Sequence, residues 1–140
     1  MREHIPAKLR RRVLQRAGNT CEYCRARADF SSDPITVDHI VALSQSGLTT
    51  EDNLACACFG CNQHKSAAQT ALDPLTQLSV PLFHPRQQVW DEHFYWSGDL
   101  TQVLALTPTG RATIEALHLN RLGLINLRRA LRAIGEHPPA

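Results

Sequence analysis

The stretch CFGCNQHK, residues 58–65, combines two cysteines separated by two residues with the polar start of a predicted helix. A second pair with the same spacing, CEYC, lies upstream at Cys21 and Cys24. The two-residue spacer lets one tight turn direct two thiolates at one ion, and zinc favours tetrahedral sulfur ligation. A single pair would also suit a redox dithiol, but two pairs indicate a structural zinc site. The predicted Zn²⁺ ligands are Cys21, Cys24, Cys58 and Cys61.

The fifth cysteine, Cys56, could replace Cys58 as a ligand, but its spacing from Cys61 is poor. We interpret it as a small buried apolar residue. Five cysteines in a chain whose start, MREHIPAKLRRR, lacks the apolar core of a secretory signal argue against a disulfide scaffold. We therefore expect a cytoplasmic protein, and no apolar run approaches the roughly 20 residues that a membrane span needs.

The net charge of +2 hides an uneven distribution. Residues 1–27 carry eight Lys/Arg and two acidic residues, residues 28–100 carry two and nine, and residues 101–140 carry five and two. Basic ends around an acidic middle suggest that the ends bind a polyanion and the middle binds a cation. The simpler interpretation is solvated helix faces, which we favour for the C-terminal arginines.

A basic helix is predicted for the segment PAKLRRRVLQRAG, since Pro6 suits a helix start and Gly18 a helix end. Its buried stripe would consist of Leu9, Val13 and Ala17. The opposite surface is the best candidate for binding nucleic acid, through phosphates rather than bases. The arginines of that surface are Arg10, Arg11, Arg12 and Arg16.

Strands and helices both follow this first helix. PITVDHIVAL, from Pro34, is rich in β-branched residues and indicates a strand or hairpin arm, and CNQHKSAAQTAL, from Cys61, indicates a helix. Residues 73–86 contain three prolines and no clear period, so we predict an ordered arm. HFYWSGDLTQVLALT indicates a hairpin, and GRATIEALHL and RLGLINLRRALRAIG indicate two helices. The stripe of the last helix would be Leu124, Leu127, Leu131 and Ile134.

Several polar residues flank the second cysteine pair. Asp38 offers a carboxylate oxygen and Asn62 an amide oxygen, which suit a hard divalent ion such as Mg²⁺. Histidine suits a general base near pH 7, although His39 and Asp38 would point to opposite faces of a regular strand. Asn53 would close the intervening loop. Lys65 shares a helix face with Asn62 and is either a solvated lysine or a phosphate contact.

The order of these motifs resembles the HNH nucleases, also called ββα-metal nucleases. CEYC, VDHIVAL, TTEDNL and CFGCNQHK match the family's pattern over residues 21–65, or 45 of 140 residues. An Asp-His pair alone would be a weak signal. Its combination with two cysteine pairs, an Asn-Leu pair and Cys-Asn-x-x-Lys in this order is specific.

The resemblance implies a metal-dependent endonuclease that hydrolyses phosphodiester bonds in DNA. His39 matches the family's general base, which activates water, and Asp38 and Asn62 match the ligands of the catalytic divalent metal. That ion, Mg²⁺ or a similar one, would polarise the phosphate and stabilise the leaving 3′ oxygen. Asn53 matches the asparagine that holds the loop and orients the histidine.

Two positions depart from the family's pattern: Ala42 replaces a frequent proline, and Ser46-Gly47 replaces a frequent Gly-Gly pair. We expect both to change loop geometry rather than chemistry. The predicted fold class is α+β, with a small zinc-stabilised ββα-metal (treble-clef-like) core, a basic N-terminal helix and a C-terminal hairpin plus helices. Residues 1–72 would form the nuclease core, and residues 73–140 an extension packed on it as one structural unit.

Three interpretations of function remain open. The first is the endonuclease, the second is a zinc-stabilised nucleic-acid-binding module without catalytic activity, and the third is a protein-interaction domain. Retention of all four candidate catalytic residues favours the first. Among the other polar residues, His64 is a surface residue, a partner of a zinc thiolate or a DNA contact. His84 and Arg86 either reach phosphate or belong to an arm packed by Leu82 and Phe83.

Overall fold

The strand β1 (Ile35–His39) and the strand β2 (Leu54–Cys58) form an antiparallel hairpin that leads directly into the helix α2 (Phe59–Lys65). This ββα unit is seen in a computed structural model that describes residues 4–139. The helix α1 (Ala7–Arg16) precedes it. The elements that follow are β3 (Thr70–Leu72), β4 (Ser79–Pro81), β5 (Phe94–Trp96), β6 (Val103–Ala105), α3 (Pro108–Leu117) and α4 (Leu122–Ala133). The predicted α+β class is therefore confirmed.

The β1–β2 hairpin is buried on both faces, because alternate side chains along a strand point to opposite sides. On one face Leu54 and Cys56 pack with Val13 of α1. On the other face Ala55 and Ala57 join a larger core that includes the paired cysteines. The hairpin therefore separates α1 from the predicted zinc site.

The helix α1 has the predicted buried stripe. Val13 is fully buried, and Leu9 and Ala17 pack around it. The helix starts after Pro6 and is followed by Gly18, whose φ of +61° lies in the left-handed region that favours glycine. Local signals at both ends therefore define this helix.

The helix α2 is shorter than predicted. It ends at Lys65, and Ser66 has a φ of +50° while its amide donates to the Asn62 carbonyl at 2.8 Å. The segment predicted to continue the helix instead forms β3, in which Ala71 pairs with Val80 of β4. Pairing with a distant strand outweighs the local helical propensity of this alanine-rich segment.

The segment 73–86, predicted as an arm, contains β4 and therefore closes a second hairpin. Asp73, which is fully buried, holds the turn between β3 and β4. Its carboxylate accepts hydrogen bonds from Arg111 Nε and Nη2 at 2.8 and 2.9 Å, from the Leu75 amide at 3.0 Å and from Thr76 Oγ1 at 2.9 Å. These contacts fasten the hairpin to α3.

The predicted hairpin and two helices of the C-terminal part correspond to β5–β6, α3 and α4. In α4, Leu124 and Leu131 are buried, as predicted. The prediction for Ile134 is wrong: α4 ends at Ala133, and Ile134 is 66% exposed.

One core cluster contains residues from both predicted segments, 1–72 and 73–140, whose ends at residues 1–3 and 140 lie outside the described residues. The indole Nε1 of Trp90 donates a hydrogen bond to the Tyr23 carbonyl at 2.9 Å. Phe94 and Leu117 are also buried in this cluster. Among residues 4–139, no helix is both long and apolar enough to cross a membrane.

Candidate functional site

The four paired cysteines converge at one point in the core. The sulfur atoms of Cys21, Cys24, Cys58 and Cys61 all lie within 4.8 Å of one another, and all four residues are buried. Tetrahedral ligation at a Zn–S distance of about 2.3 Å requires sulfur atoms about 3.8 Å apart, and the Cys24 and Cys58 sulfurs are 3.7 Å apart. The cluster therefore fits a structural zinc ion.

Cys56 is not part of the four-cysteine cluster. It is fully buried on the opposite face of β2, beside Val13 and Leu54. Burial raises the pKa of the Cys56 thiol to about 12. The interpretation of Cys56 as a buried apolar residue is consistent with this environment.

Asp38 lies near the end of β1 and is only 4% exposed. Its Oδ2 atom accepts a hydrogen bond from the Tyr23 hydroxyl at 2.9 Å, and the Lys65 ammonium lies 3.2 Å from the same oxygen. Burial raises the pKa of the Asp38 carboxyl, whereas the charge of Lys65 and the Tyr23 hydrogen bond act in the opposite direction. These two neighbours therefore favour the charged carboxylate.

Lys65 differs from its sequence interpretation. Only 3% of its surface is exposed, so it is not a solvated lysine, and its burial leaves little surface for a phosphate. Its ammonium also donates to the His39 carbonyl at 3.3 Å. The ββα geometry places this helix residue directly against the end of β1, where it pairs with Asp38.

The side chains of His39 and Asp38 contact different elements. The His39 Nε2 atom lies 3.0 Å from Thr49 Oγ1, in the loop between β1 and β2. His39 is partly exposed, unlike Asp38. The alternation expected for a regular strand thus separates a buried carboxyl group from a more accessible imidazole.

Asn53 holds the two ends of the β1–β2 loop together. Its Oδ1 atom accepts a hydrogen bond from the Val41 amide at 2.8 Å, and its Nδ2 atom donates to the carbonyls of Val41 at 3.0 Å and Leu48 at 2.8 Å. Its own carbonyl accepts from the Ile40 amide at 2.8 Å. The side chain therefore fixes the backbone that directly follows His39.

Asn62 lies one turn before Lys65 on α2, and its Nδ2 atom donates to Thr36 Oγ1 at 2.9 Å. Thr36 is two residues before Asp38 in β1, so both side chains leave the same face of the strand. The structure therefore brings Asn62 to the face that carries Asp38, although the direct partner of Asp38 on α2 is Lys65.

The two departures from the family's pattern, at Ala42 and Ser46, both lie in the loop between β1 and β2. Ser46 has a φ of +67°, in the left-handed region that favours glycine. At Gly47, a Cβ atom would collide with the Val41 carbonyl. Gly47 is thus needed for a close backbone approach, while Ser46 adopts a backbone conformation that strains a side-chain-bearing residue.

All four arginines of α1 are exposed, but three of them also contact the ββα unit. Arg12 Nε lies 3.0 Å from Glu51 Oε1, and Arg16 donates to the carbonyls of Glu51 at 3.1 Å and Leu54 at 2.7 Å. Arg10 Nη2 donates to the Ile35 carbonyl at 3.5 Å. The basic surface therefore also anchors α1 to the hairpin.

Two of the C-terminal arginines do not lie on solvated faces, contrary to our expectation. Arg128 is 3% exposed and donates to the carbonyls of Leu119 at 2.7 Å and Thr101 at 3.0 Å. Arg121 donates to the sulfurs of Cys58 and Cys61. No local pattern in the sequence indicates these contacts, because they depend on how the extension packs on the core.

The remaining polar candidates are less closely connected to the site. His64 is exposed, and its ring centroid lies 4.4 Å from that of His118. Arg86 pairs with Glu22, and Leu82 and Phe83 are buried, which supports packing of this segment on the domain. Tyr23 and Thr49 contact Asp38 and His39 but were not among the predicted site residues.

Comparison with protein-family models gives a match to the HNH endonucleases over residues 21–68. The matched segment contains the four-cysteine cluster, the β1–β2 hairpin and α2, so the chain carries an HNH domain. No curated protein matches the chain. The HNH match indicates a nuclease-type function and nucleic-acid binding, and it does not favour a module without activity.

Proposed function

We propose that this protein is a metal-dependent endonuclease that hydrolyses phosphodiester bonds in DNA. The observation that carries the proposal is the end of β1, where a buried carboxyl group and a partly exposed imidazole adjoin within the HNH segment. A binding module would not need this pair, the Asn53 loop clamp and Asn62 together. The non-catalytic module therefore remains only as the alternative outcome of the test below.

In this proposal His39 is the general base that takes a proton from the attacking water. We assign His39 the tautomer protonated on Nε2, in which the Thr49 hydroxyl accepts that hydrogen bond and the lone pair on Nδ1 is free for the water's proton. Asn53 fixes the loop between His39 and Thr49 and so keeps the imidazole in one orientation.

Asp38 and Asn62 would hold the catalytic divalent ion, Mg²⁺ or a similar one. Their carboxylate and amide oxygens are hard donors of the kind that Mg²⁺ prefers. A carboxylate has about four acceptor positions, and the contacts from Tyr23 and Lys65 leave about one of them free on Asp38. When bound, such an ion supplies charge stabilisation to the phosphate and the leaving oxygen.

Plasmid nicking tests the proposal. The wild-type protein should nick supercoiled plasmid with Mg²⁺ or Mn²⁺, and a chelator should stop the reaction. His39→Ala should lower the rate by about 10²-fold or more, the scale of a lost general base. His64→Ala is the matched control, because that exposed histidine lies on α2 with its ring beside His118, and it should retain activity. Equal activity in wild type and His39→Ala would overturn this mechanism, and no nicking by either protein would leave only the binding module.

The exposed face of α1 is the proposed DNA-binding surface. Arg11 is the arginine that we propose binds a phosphate, since the other three arginines of the face already make protein contacts. Arg11→Ala should lower the slope of log K against log salt concentration by about one unit. Arg129→Ala, on exposed α4 surface, is the control and should leave the slope unchanged.

A further inference from the structure

Arg121, in the turn between α3 and α4, extends its guanidinium to the four-cysteine cluster. Its Nη2 atom lies 3.4 Å from the Cys58 sulfur, and its Nη1 atom lies 3.6 Å from the Cys61 sulfur. Hydrogen bonds to sulfur are longer than those to oxygen, and both distances fit a guanidinium N–H donating to sulfur. One side chain of the extension therefore contacts both sulfurs of the second cysteine pair.

A cradle in the HNH segment receives this guanidinium. Asp33 Oδ2 accepts a hydrogen bond from the Gly60 amide at 2.9 Å and lies 3.7 Å from Arg121 Nη2. A Cβ atom added to Gly60 would lie 2.5 Å from the same nitrogen. Gly60, between the two cysteines of its pair, thus leaves the space that the guanidinium occupies.

The contact between the Arg121 guanidinium and the sulfurs would compensate negative charge at the cluster. Four thiolates around one Zn²⁺ ion carry a net charge of −2 inside the core, where an uncompensated charge is costly. A guanidinium neutralises part of that charge, and its fork of donors matches two adjacent sulfurs. Hydrogen bonds to metal ligands also orient them and tune how tightly the metal is held.

We propose that Arg121 is the residue through which the C-terminal extension retains the structural zinc, by hydrogen-bonding and charge-compensating the thiolates of Cys58 and Cys61. This role gives the extension a task in the HNH segment itself. It does not depend on nuclease activity, so it can fail or hold independently of the proposed function.

Zinc release from the purified zinc-bound protein tests the proposal. A chromogenic chelator in excess should remove zinc from Arg121→Met about 10- to 100-fold faster than from wild type, the scale of a lost hydrogen bond to a metal ligand. Arg121→Lys keeps the charge but not the fork, so its rate should be intermediate. Arg129→Met, with the same change on an exposed part of α4, should match wild type.

The Co²⁺-substituted protein supplies a readout that loss of packing alone does not move. Removing hydrogen bonds from the thiolates should shift the sulfur-to-cobalt charge-transfer band of Arg121→Met to longer wavelength. Release at the wild-type rate together with an unshifted band in Arg121→Met would overturn the proposal. Faster release with an unshifted band would also overturn it, because Arg121 would then act only through packing.

Gly60→Ala tests the same contact without altering the charge of the chain. The added methyl group must displace the guanidinium, so zinc release should again accelerate and the cobalt band should shift in the same direction. If Arg121→Met does not fold, this variant decides the question. Wild-type release and an unshifted band in Gly60→Ala would overturn the proposal.

Discussion

Asp38 is a carboxyl group that folding removes from water, and Tyr23 and Lys65 compensate for part of that loss. Its place in the Asp-His pair was evident from the sequence. Its two partners were not, because they lie 15 and 27 residues away and meet Asp38 only when the ββα unit folds. Sequence spacing correctly placed Lys65 on the Asn62 face of α2, but it did not reveal what that face covers.

We expect Lys65→Met to destabilise the fold by about 3–5 kcal/mol, because it leaves the Asp38 carboxylate buried without its ion-pair partner. Adding Asp38→Asn to this variant should recover part of the loss, since an amide carries no charge to compensate. Urea unfolding monitored by tryptophan fluorescence gives the free energies of unfolding.

Lys8→Met is the matched control for this prediction, because Lys8 is the chain's other lysine and is exposed on α1. Its unfolding free energy should differ from wild type by no more than about 0.5 kcal/mol. A Lys65→Met variant as stable as Lys8→Met would show that the buried pair contributes no net stability.

Thr49→Val should lower the nicking rate by about five- to tenfold, since the lost hydrogen bond to His39 is worth about 1 kcal/mol. Thr49→Ser retains the hydroxyl group and should keep most of the activity. Single-turnover nicking with saturating protein measures the effect on the chemical step. Equal rates for the valine and serine variants would contradict a positioning role for Thr49.

At the scale of elements, local signals succeeded where the chain itself determines the structure. Pro6 and Gly18 predicted the ends of α1, and the β-branched residues predicted β1, because each of these residues restricts its own backbone. Local signals did not predict β3 and β4, because neither three-residue strand has a recognisable sequence pattern. Each is stabilised by pairing with the other. The α2 helix was consequently predicted too long.

The β1–β2 loop offers a test of the family departures. Ser46→Gly should stabilise the protein by up to about 1 kcal/mol, because glycine adopts the φ of +67° without the steric cost that a side chain carries. Differential scanning calorimetry would detect the rise in melting temperature.

Ser44→Gly serves as the comparison for the loop. Ser44 lies in the short 3-10 turn Leu43–Gln45, outside the residues with positive φ, so glycine there gains nothing and lowers stability through chain entropy. If both variants melt at the same temperature, the strain at Ser46 contributes nothing measurable.

At the scale of the whole molecule, the four-cysteine cluster was predictable because each cysteine pair is local and only their meeting is tertiary. The role of the extension was not predictable, since Arg121 and Trp90 reach the HNH segment through packing alone. We propose that residues 1–72 and 73–140 fold as one unit, on the basis of their shared core.

Removal of zinc should therefore unfold both segments together. All four cysteines of the cluster lie in the first segment, and both tryptophans, Trp90 and Trp96, lie in the second. When a chelator strips the metal, zinc appearance and the change in tryptophan fluorescence should follow one time course, because structural zinc contributes folding free energy directly. Native fluorescence after complete zinc loss would mean that the extension folds independently.

The burial of all five cysteines has a practical consequence for labelling this protein. Four thiols are committed to the metal cluster and the fifth is enclosed, so a maleimide dye added to the folded zinc-bound protein should find no reactive site. A single cysteine introduced at exposed Ser44 would then accept one fluorophore beside the His39 loop. The protein is in effect already a background-free scaffold for watching a nucleic acid approach that loop, without deleting any native cysteine.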